Sequence, residues 1–285
     1  MVEIKKLNEK SFPALLSEMS DPPKALYLCG TLPPPETKLL AVVGSRKMSG
    51  YAKEACAHLI AGLSGYPIGI VSGLALGVDG AAHRAALAAN LLTIAIPGSG
   101  LAEEVLYPRA HLGLAREIVA SGGGLLSEME PEERATSYSF PKRNRLMAGI
   151  AHAVLVVEAG VQSGTLITAK LAADYGRELL IVPHSIFSEG GAGGHVFMRL
   201  GASPVRTAAD ILDALGFEAR TESDAPPVEM SADEIRVMEL LRAPLSRDEC
   251  IRALGIPAAA ANVLLAEMEL RGLIQETLGE IRRNI

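Results

Sequence analysis

Three short segments of this chain hold side chains that could do chemistry, and all three favour an anion. Gly44-Ser45-Arg46 ends an apolar run that begins at Leu39. Where a strand meets a helix start, free backbone N–H groups and the helix dipole favour negative charge. Gly44 permits close approach there, Ser45 donates, and Arg46 adds a permanently charged fork suited to phosphate. The alternative is an ordinary turn with a solvated arginine. Ser163-Gly164-Thr165, followed by Thr168 and Lys170, is a second hydroxyl-rich helix start; read simply, Ser163 caps that helix. Phe140-Pro141-Lys142-Arg143-Asn144-Arg145 is the densest positive segment. Cations for phosphates beside a ring for a base is the pairing that single-stranded nucleic acid uses. Basic charge at a helix start opposes the macrodipole by roughly a few tenths of a kcal/mol. The sequence therefore reads the cluster as held for a partner rather than as a solvated helix end. Replacing Arg46 and Arg143 together is then expected to weaken single-stranded DNA binding without lowering the melting temperature.

Other chemistry is less well supplied. No G-x-G-x-x-G opens a helix and no acidic residue ends the second strand to take a ribose, so a dinucleotide has weak support. The absence of G-x-x-x-x-G-K-[ST] disfavours P-loop hydrolysis of ATP. Asp79 and His83 stand four apart and could form an acid–base pair or hold a metal, but no third ligand has suitable spacing. The favoured reading makes Asp79 a brace for its loop and His83 a packed or hydrogen-bonded residue. His184 and His195 are weaker candidates. Neither metal, cofactor nor catalytic residue is expected.

These loops need elements that hold them together. Short apolar runs at Leu39–Val43, Ile68–Val71, Leu92–Ile96, Gly124–Ser127, Ala153–Glu158 and Leu179–Val182 alternate with helical patterns near 49–63, 78–89, 110–120, 141–150, 165–175, 196–200 and 208–215. Strands separated by such helices make βαβ units and a parallel sheet. The expected fold is α/β: an extended Rossmann-like, doubly wound, mostly parallel sheet, whose ligand edge lies at the strand carboxyl ends. Residues 1–38 read as an N-terminal extension with a strand at Ala25–Cys29, 39–216 as the Rossmann-like DNA-binding domain, and 217–230 as a linker. In 231–285, Ser231 with Glu234 and Ser246 with Glu249 have capping-box spacing. Three helices and a hairpin turning at Leu278-Gly279-Glu280 predict a C-terminal winged helix. Its third helix opens Pro257-Ala258-Ala259-Ala260 without a basic side chain, whereas a recognition helix needs donors there. Arg282 and Arg283 could touch a backbone near the wing, but protein interaction or regulation is favoured over sequence-specific DNA reading.

Composition limits the rest. Of 285 residues, 49% are hydrophobic and 4% aromatic, with no Trp, so the core is aliphatic. The net charge of −6 means that nucleic acid must be held by a local patch, not by the whole surface. Cys29, Cys56 and Cys250 show no C-x-x-C spacing. No signal-peptide core and no stretch of roughly 20 apolar residues is present, so a cytoplasmic protein with no membrane association is expected.

Taken in order, Gly44-Ser45-Arg46, SGLALGVDGAAH from Ser72, PGSGL from Pro97 with Tyr107-Pro108, SFPKRNRLMAGI from Ser139 and EAGVQSGTLITAK from Glu158 resemble the DprA/Smf family, as does FPALLSEMSDPPKALYLCG from Phe12. The resemblance covers about residues 12–216. It implies a recombination mediator of natural transformation, not an enzyme. Such a protein binds and protects incoming single-stranded DNA, helps load the RecA recombinase, and forms a homodimer through the Rossmann-like domain. By motif it implies DNA contacts from Gly44, Ser45, Arg46, Phe140, Lys142, Arg143, Asn144, Ser163, Gly164, Thr165 and Thr168. The helical domain that often precedes the sheet in that family is not expected here. Pro183-His184 and Gly193-Gly194-His195 depart from its usual Pro-Gly and Gly-x-Asn. The competing reading is a phosphoribohydrolase-like nucleotide hydrolase of the same broad fold group, but Pro97-Gly98-Ser99-Gly100 lacks the Thr and acidic pair of that motif. A DNA-binding regulator led by the winged helix is a third, disfavoured by thin positive charge.

Overall fold

The computed structural model describes residues 3–218, 230–277 and 279–283. The chain divides into two compact units, Met1–Ala219 and Arg220–Ile285. Most of the expected linker 217–230, and Leu278 of the expected hairpin turn, lie outside the described residues.

In the first unit, nine strands form one sheet: β1 (Ile4–Lys6), β2 (Tyr27–Gly30), β3 (Lys38–Gly44), β4 (Ile68–Ser72), β5 (Leu92–Ala95), β6 (Gly124–Ser127), β7 (Ala153–Glu158), β8 (Glu178–Ile181) and β9 (Ser203–Pro204). Their spatial order is β1-β2-β6-β5-β4-β3-β7-β8-β9. All pairs from β6 to β9 are parallel, while β2 joins β6 and β1 joins β2 antiparallel. The doubly wound, mostly parallel sheet read from the sequence is therefore present. β1 was not foreseen: its Ile-Lys-Lys sequence has no apolar run, because an edge strand needs to bury little and its lysines discourage further pairing.

The helices are α1 (Gly50–Ala61), α2 (Val78–Ala88), α3 (Leu112–Ala120), α4 (Ser139–Ile150), α5 (Thr165–Asp174), α6 (Ala192–Arg199) and α7 (Ala208–Ala214). Strand β3 shows why they lie on both faces. Its side chains alternate, so Leu39, Ala41 and Val43 enter one core with Leu146, Ile150 and Ala172. Leu40 and Val42 enter a second core with Leu59, Val78 and Ile211. Three helix starts differ from the sequence expectation: α3 begins at Leu112, after a single 3-10 turn over Arg109–His111. α4 begins at Ser139 because Pro141 fits a first turn, where its missing amide costs no hydrogen bond. α6 begins at Ala192 because Gly193 and Gly194 let it press on the sheet: a Cβ would stand 2.7 Å from the Ala159 carbonyl oxygen at the first and 2.8 Å from Ile181 at the second.

Strand order sets the site. From β3 the chain builds outward through β4, β5 and β6 on one side, then returns to β7, β8 and β9 on the other. Loops leaving β3 and β7 must diverge, which opens a crevice at the carboxyl edge between them. The ladder slips between Val43 and Gly44, and the Ser45 amide turns to donate to the Glu158 carbonyl at 2.8 Å.

The second unit holds α8 (Ala232–Leu240), β10 (Leu245–Ser246), α9 (Arg247–Leu254), α10 (Ala258–Leu270), β11 (Ile274–Thr277) and β12 (Glu280–Arg283). Both expected capping boxes form, at Ser231 with Glu234 and at Ser246 with Glu249. Val237, Cys250, Leu265 and Met268 fill its core, and β10 adds a third strand to the hairpin. This is a winged helix, in which α10 exposes three alanines and no cation in its first turn.

Candidate nucleic-acid interface

A cleft of about 500 Å³ lies at the crevice, and ten of the eleven residues singled out by motif line it: Gly44, Ser45, Arg46, Phe140, Arg143, Asn144, Ser163, Gly164, Thr165 and Thr168. Lys142 does not. Its ammonium points to Glu128 at 3.6 Å, while its side chain remains half exposed.

Each loop works differently from its sequence reading. Gly44 is required by packing, since a Cβ would lie 2.5 Å from a Val78 methyl. α1 begins at Gly50, where the helical pattern near 49–63 places it, so a loop separates Gly44-Ser45-Arg46 from the helix start; Ser49 caps the helix by accepting the Ala52 amide at 3.1 Å. The Ser45 hydroxyl accepts from the Lys47 amide at 3.1 Å, so that loop is already internally bonded. Arg46 is the exception. It is exposed, its guanidinium carbon stands 4.9 Å from the Phe140 ring centroid, and it makes no ion pair among the described residues. A cation over a ring face is held by the ring quadrupole, which orients the fork without neutralising it.

The basic segment of α4 is largely satisfied from within. Arg145 grips both Glu128 oxygens and also reaches Asp21. Arg143 is buried, 7% exposed. Its Nη1 donates to the carbonyls of Gly73 and, at 2.6 Å, of Ile96, while Nε donates to Asn144 at 3.1 Å. Beside Gly73 also lies Asp79, whose carboxylate accepts the Gly73 amide at 3.1 Å and the Ala75 amide at 3.3 Å. Only glycine fits at 73, because a Cβ would collide with both the Arg143 guanidinium and the Asp79 carboxylate. Burial pushes the Asp79 carboxyl above its ordinary range, opposed by Arg143 and the two amides. The cost of basic charge at this helix start is thus offset by internal partners, and the inference that the whole cluster awaits a ligand does not survive. The signal was in the sequence: Arg143 shares the α4 stripe of Leu146, Met147 and Ile150, the face that must be buried.

At α5 the assigned cap is Gly164, exposed with open space around it, and Ser163 Oγ accepts the Thr165 amide at 3.2 Å. Thr168 Oγ1, buried in the cleft wall, has no hydrogen-bond partner among the described residues. Buried hydroxyls are normally paired; this one is closed to solvent within the wall, so Thr168 shapes the cleft from inside. The cleft also uses Ala75, Gln162 and Ile167, which carry no sequence signal of their own.

Asp79 and His83 take the roles of brace and packed residue. His83 is fully buried, with Nδ1 2.7 Å from Thr93 Oγ1. Among the described residues no cluster of three His, Cys, Asp or Glu forms a metal site, and no single helix is long and apolar enough to cross a membrane.

Comparison with known proteins bears on this geometry. Residues 3–216 match the family described as DNA recombination-mediator protein A, and residues 221–280 match the DprA winged helix domain. Over 215 residues the chain is 39% identical to Protein Smf of Escherichia coli; the match takes in 75% of this chain but only 57% of that protein's length. DNA processing protein A of Streptococcus pneumoniae superposes with a TM-score of 0.68 at 37% identity, covering 74% of each chain. DNA processing protein A of Helicobacter pylori, in a structure concerned with its single-stranded DNA binding mode, superposes at 0.66 and 28% identity, covering 75% of this chain and 96% of that one.

Proposed function

Because this chain belongs to the DNA recombination-mediator protein A family, we propose that it binds single-stranded DNA in the cleft between β3 and β7. The observation that carries this reading is the convergence of an exposed, unpaired Arg46 and the open start of α5 on one crevice. Arg46 takes a phosphate as a bidentate fork, Ser163 and Gly164 supply neutral donors to the same backbone, and the buried Thr165 and Thr168 complete the cleft wall. Arg143, Asn144 and Gly44 shape the cleft from behind it, and Lys142 reaches the strand only by leaving Glu128. The relative from Helicobacter pylori supports the choice of ligand.

On that basis the protein acts as a binding factor, not an enzyme, in DNA-mediated transformation: it covers incoming single strands and helps load RecA onto them. It works as a cytoplasmic homodimer through the sheet domain. Supporting a dimer, Ile186, Phe187 and Leu200, which flank α6 in the chain, are 84%, 90% and 76% exposed, apolar side chains that an interface would cover.

The test is fluorescence anisotropy with a labelled single strand and the matching duplex at rising salt, beside a RecA filament-assembly assay. Tight, salt-sensitive binding preferring the single strand, with faster RecA assembly, is expected. Equal affinity for duplex and single strand, or no binding at low salt, rejects the reading.

A further inference from the structure

The ring singled out for base stacking is already occupied. Phe140 packs on the backbone of Gly98, where a Cβ would lie 2.6 Å from its Cδ1, and Arg46 stands 4.9 Å from its centroid. Tyr107 lies 5.8 Å from it, tilted by 56°. Tyr107 itself is 47% exposed, and Leu76 is 48% exposed. With Arg46, Pro108 and Phe140 they line a hollow beside the main cleft, which shares Arg46, Ala75, Phe140 and Arg143 with it.

Leu76 is held out by a rigid loop. Asp79 accepts the amides of Gly73 and Ala75, Arg143 donates to the Gly73 carbonyl, and His111 Nδ1 lies 2.8 Å from the Leu74 carbonyl. Leu74 has φ +62°, which a bulky L residue avoids, and Gly77 has φ +79° where a Cβ would strike the Arg46 carbonyl. Backbone strain of this kind persists where surrounding structure over-determines it, and it clusters at binding sites. Tyr107 is anchored through its amide, which donates to Ser99 Oγ at 3.2 Å. Two apolar surfaces are thus presented, preorganised, next to Arg46, whose guanidinium makes no ion pair among the described residues.

We infer that Tyr107, with Leu76 lining the same hollow, is the platform on which a nucleobase stacks, with the phosphate of the same strand at Arg46, and that Phe140 is the rest that aims Arg46. This deepens the single-stranded DNA reading and depends on it. The platform offers a ring and an aliphatic group but no fork of donors for base edges, so it accepts any base.

The chain contains no Trp, so Tyr107→Trp introduces a single reporter. Titrating it with oligo-dT and with an abasic oligomer of equal length, while following anisotropy, separates base from backbone. Trp fluorescence should change on dT binding and stay constant when the abasic strand binds. Tyr107→Ala should weaken dT binding by about 5- to 150-fold, the range seen for one base–aromatic stack, and leave abasic binding and the melting temperature unchanged. Tyr107→Phe should bind dT as the parent does. Full dT affinity in Tyr107→Ala, or unaltered Trp emission at saturation, overturns the platform while leaving the cleft assignment intact. Failure of the parent protein to bind dT at all overturns both.

Discussion

Arg46 and Arg143 lie on the same cleft and carry the same charge, yet their removal should have opposite signatures. Arg143→Ala deletes a guanidinium that is 7% exposed and holds the Gly73 and Ile96 carbonyls together at the ends of β4 and β5. It also removes the positive charge nearest the buried Asp79 carboxyl. Breaking a buried, hydrogen-bonded charge of this kind costs about 3–5 kcal/mol, and for a unit of this size 1 kcal/mol moves the melting temperature by roughly 2–4 °C. A fall of about 6–20 °C is therefore expected. Arg46→Ala removes an exposed group whose side chain is held by the Phe140 ring, a contact worth ~0.5–1 kcal/mol, so the melting temperature should drop by no more than about 4 °C. Differential scanning calorimetry on both variants decides it, with DNA affinity measured where both remain folded. An Arg143→Ala variant melting within about 2 °C of the parent would refute the brace. That flat result is what the sequence reading, with both arginines facing DNA, leads one to expect.

Further outcomes follow from the same geometry. Loss of Arg46 should make the log–log salt dependence of single-stranded DNA affinity shallower by about 0.7, the contribution of one phosphate contact; an unchanged slope places the phosphate elsewhere. Burial pulls His83 down to about 3, so below its ordinary value near 6.5 the unfolded chain binds a proton that the folded chain refuses. Stability present above that pH is then lost as pH falls towards 3, by up to about 2 kcal/mol at pH 5. Urea unfolding at pH 7 and pH 5 should show this loss, and His83→Gln should remove that share of it. In the winged helix, the Ser246 hydroxyl accepts the Glu249 amide at 3.3 Å. Ser246→Ala should cost about 1 kcal/mol, seen as reduced hydrogen-exchange protection in α9; undiminished protection would show that the cap is idle.

What the sequence determined was local. Apolar runs alternating with 3.6-period segments specify β3 to β8 and their helices, and Ser-x-x-Glu spacings specify the starts of α8 and α9. These signals are complete within a dozen residues, which is why the doubly wound sheet and the winged helix could be read directly. Motif order located ten of the cleft-lining residues for a related reason: in this fold, loops at strand carboxyl ends meet wherever strand order reverses. What tertiary structure decided was which cations are free. Arg143, Arg145 and Arg46 are chemically alike along the chain, but Arg143 is drawn into carbonyls 47 and 70 residues away, and Arg145 into Glu128 and Asp21. Arg46 alone of these is left to a ring that neutralises nothing. Tyr107 and Leu76 show the converse: their motifs are legible in the sequence but give them no contact role, and only the fold sets them on one hollow with Arg46, Leu76 by a loop fixed through Asp79, His111 and Arg143 and Tyr107 by Ser99. Charge availability is a balance of long-range pairing and burial, and that balance exists only once distant segments have been brought together.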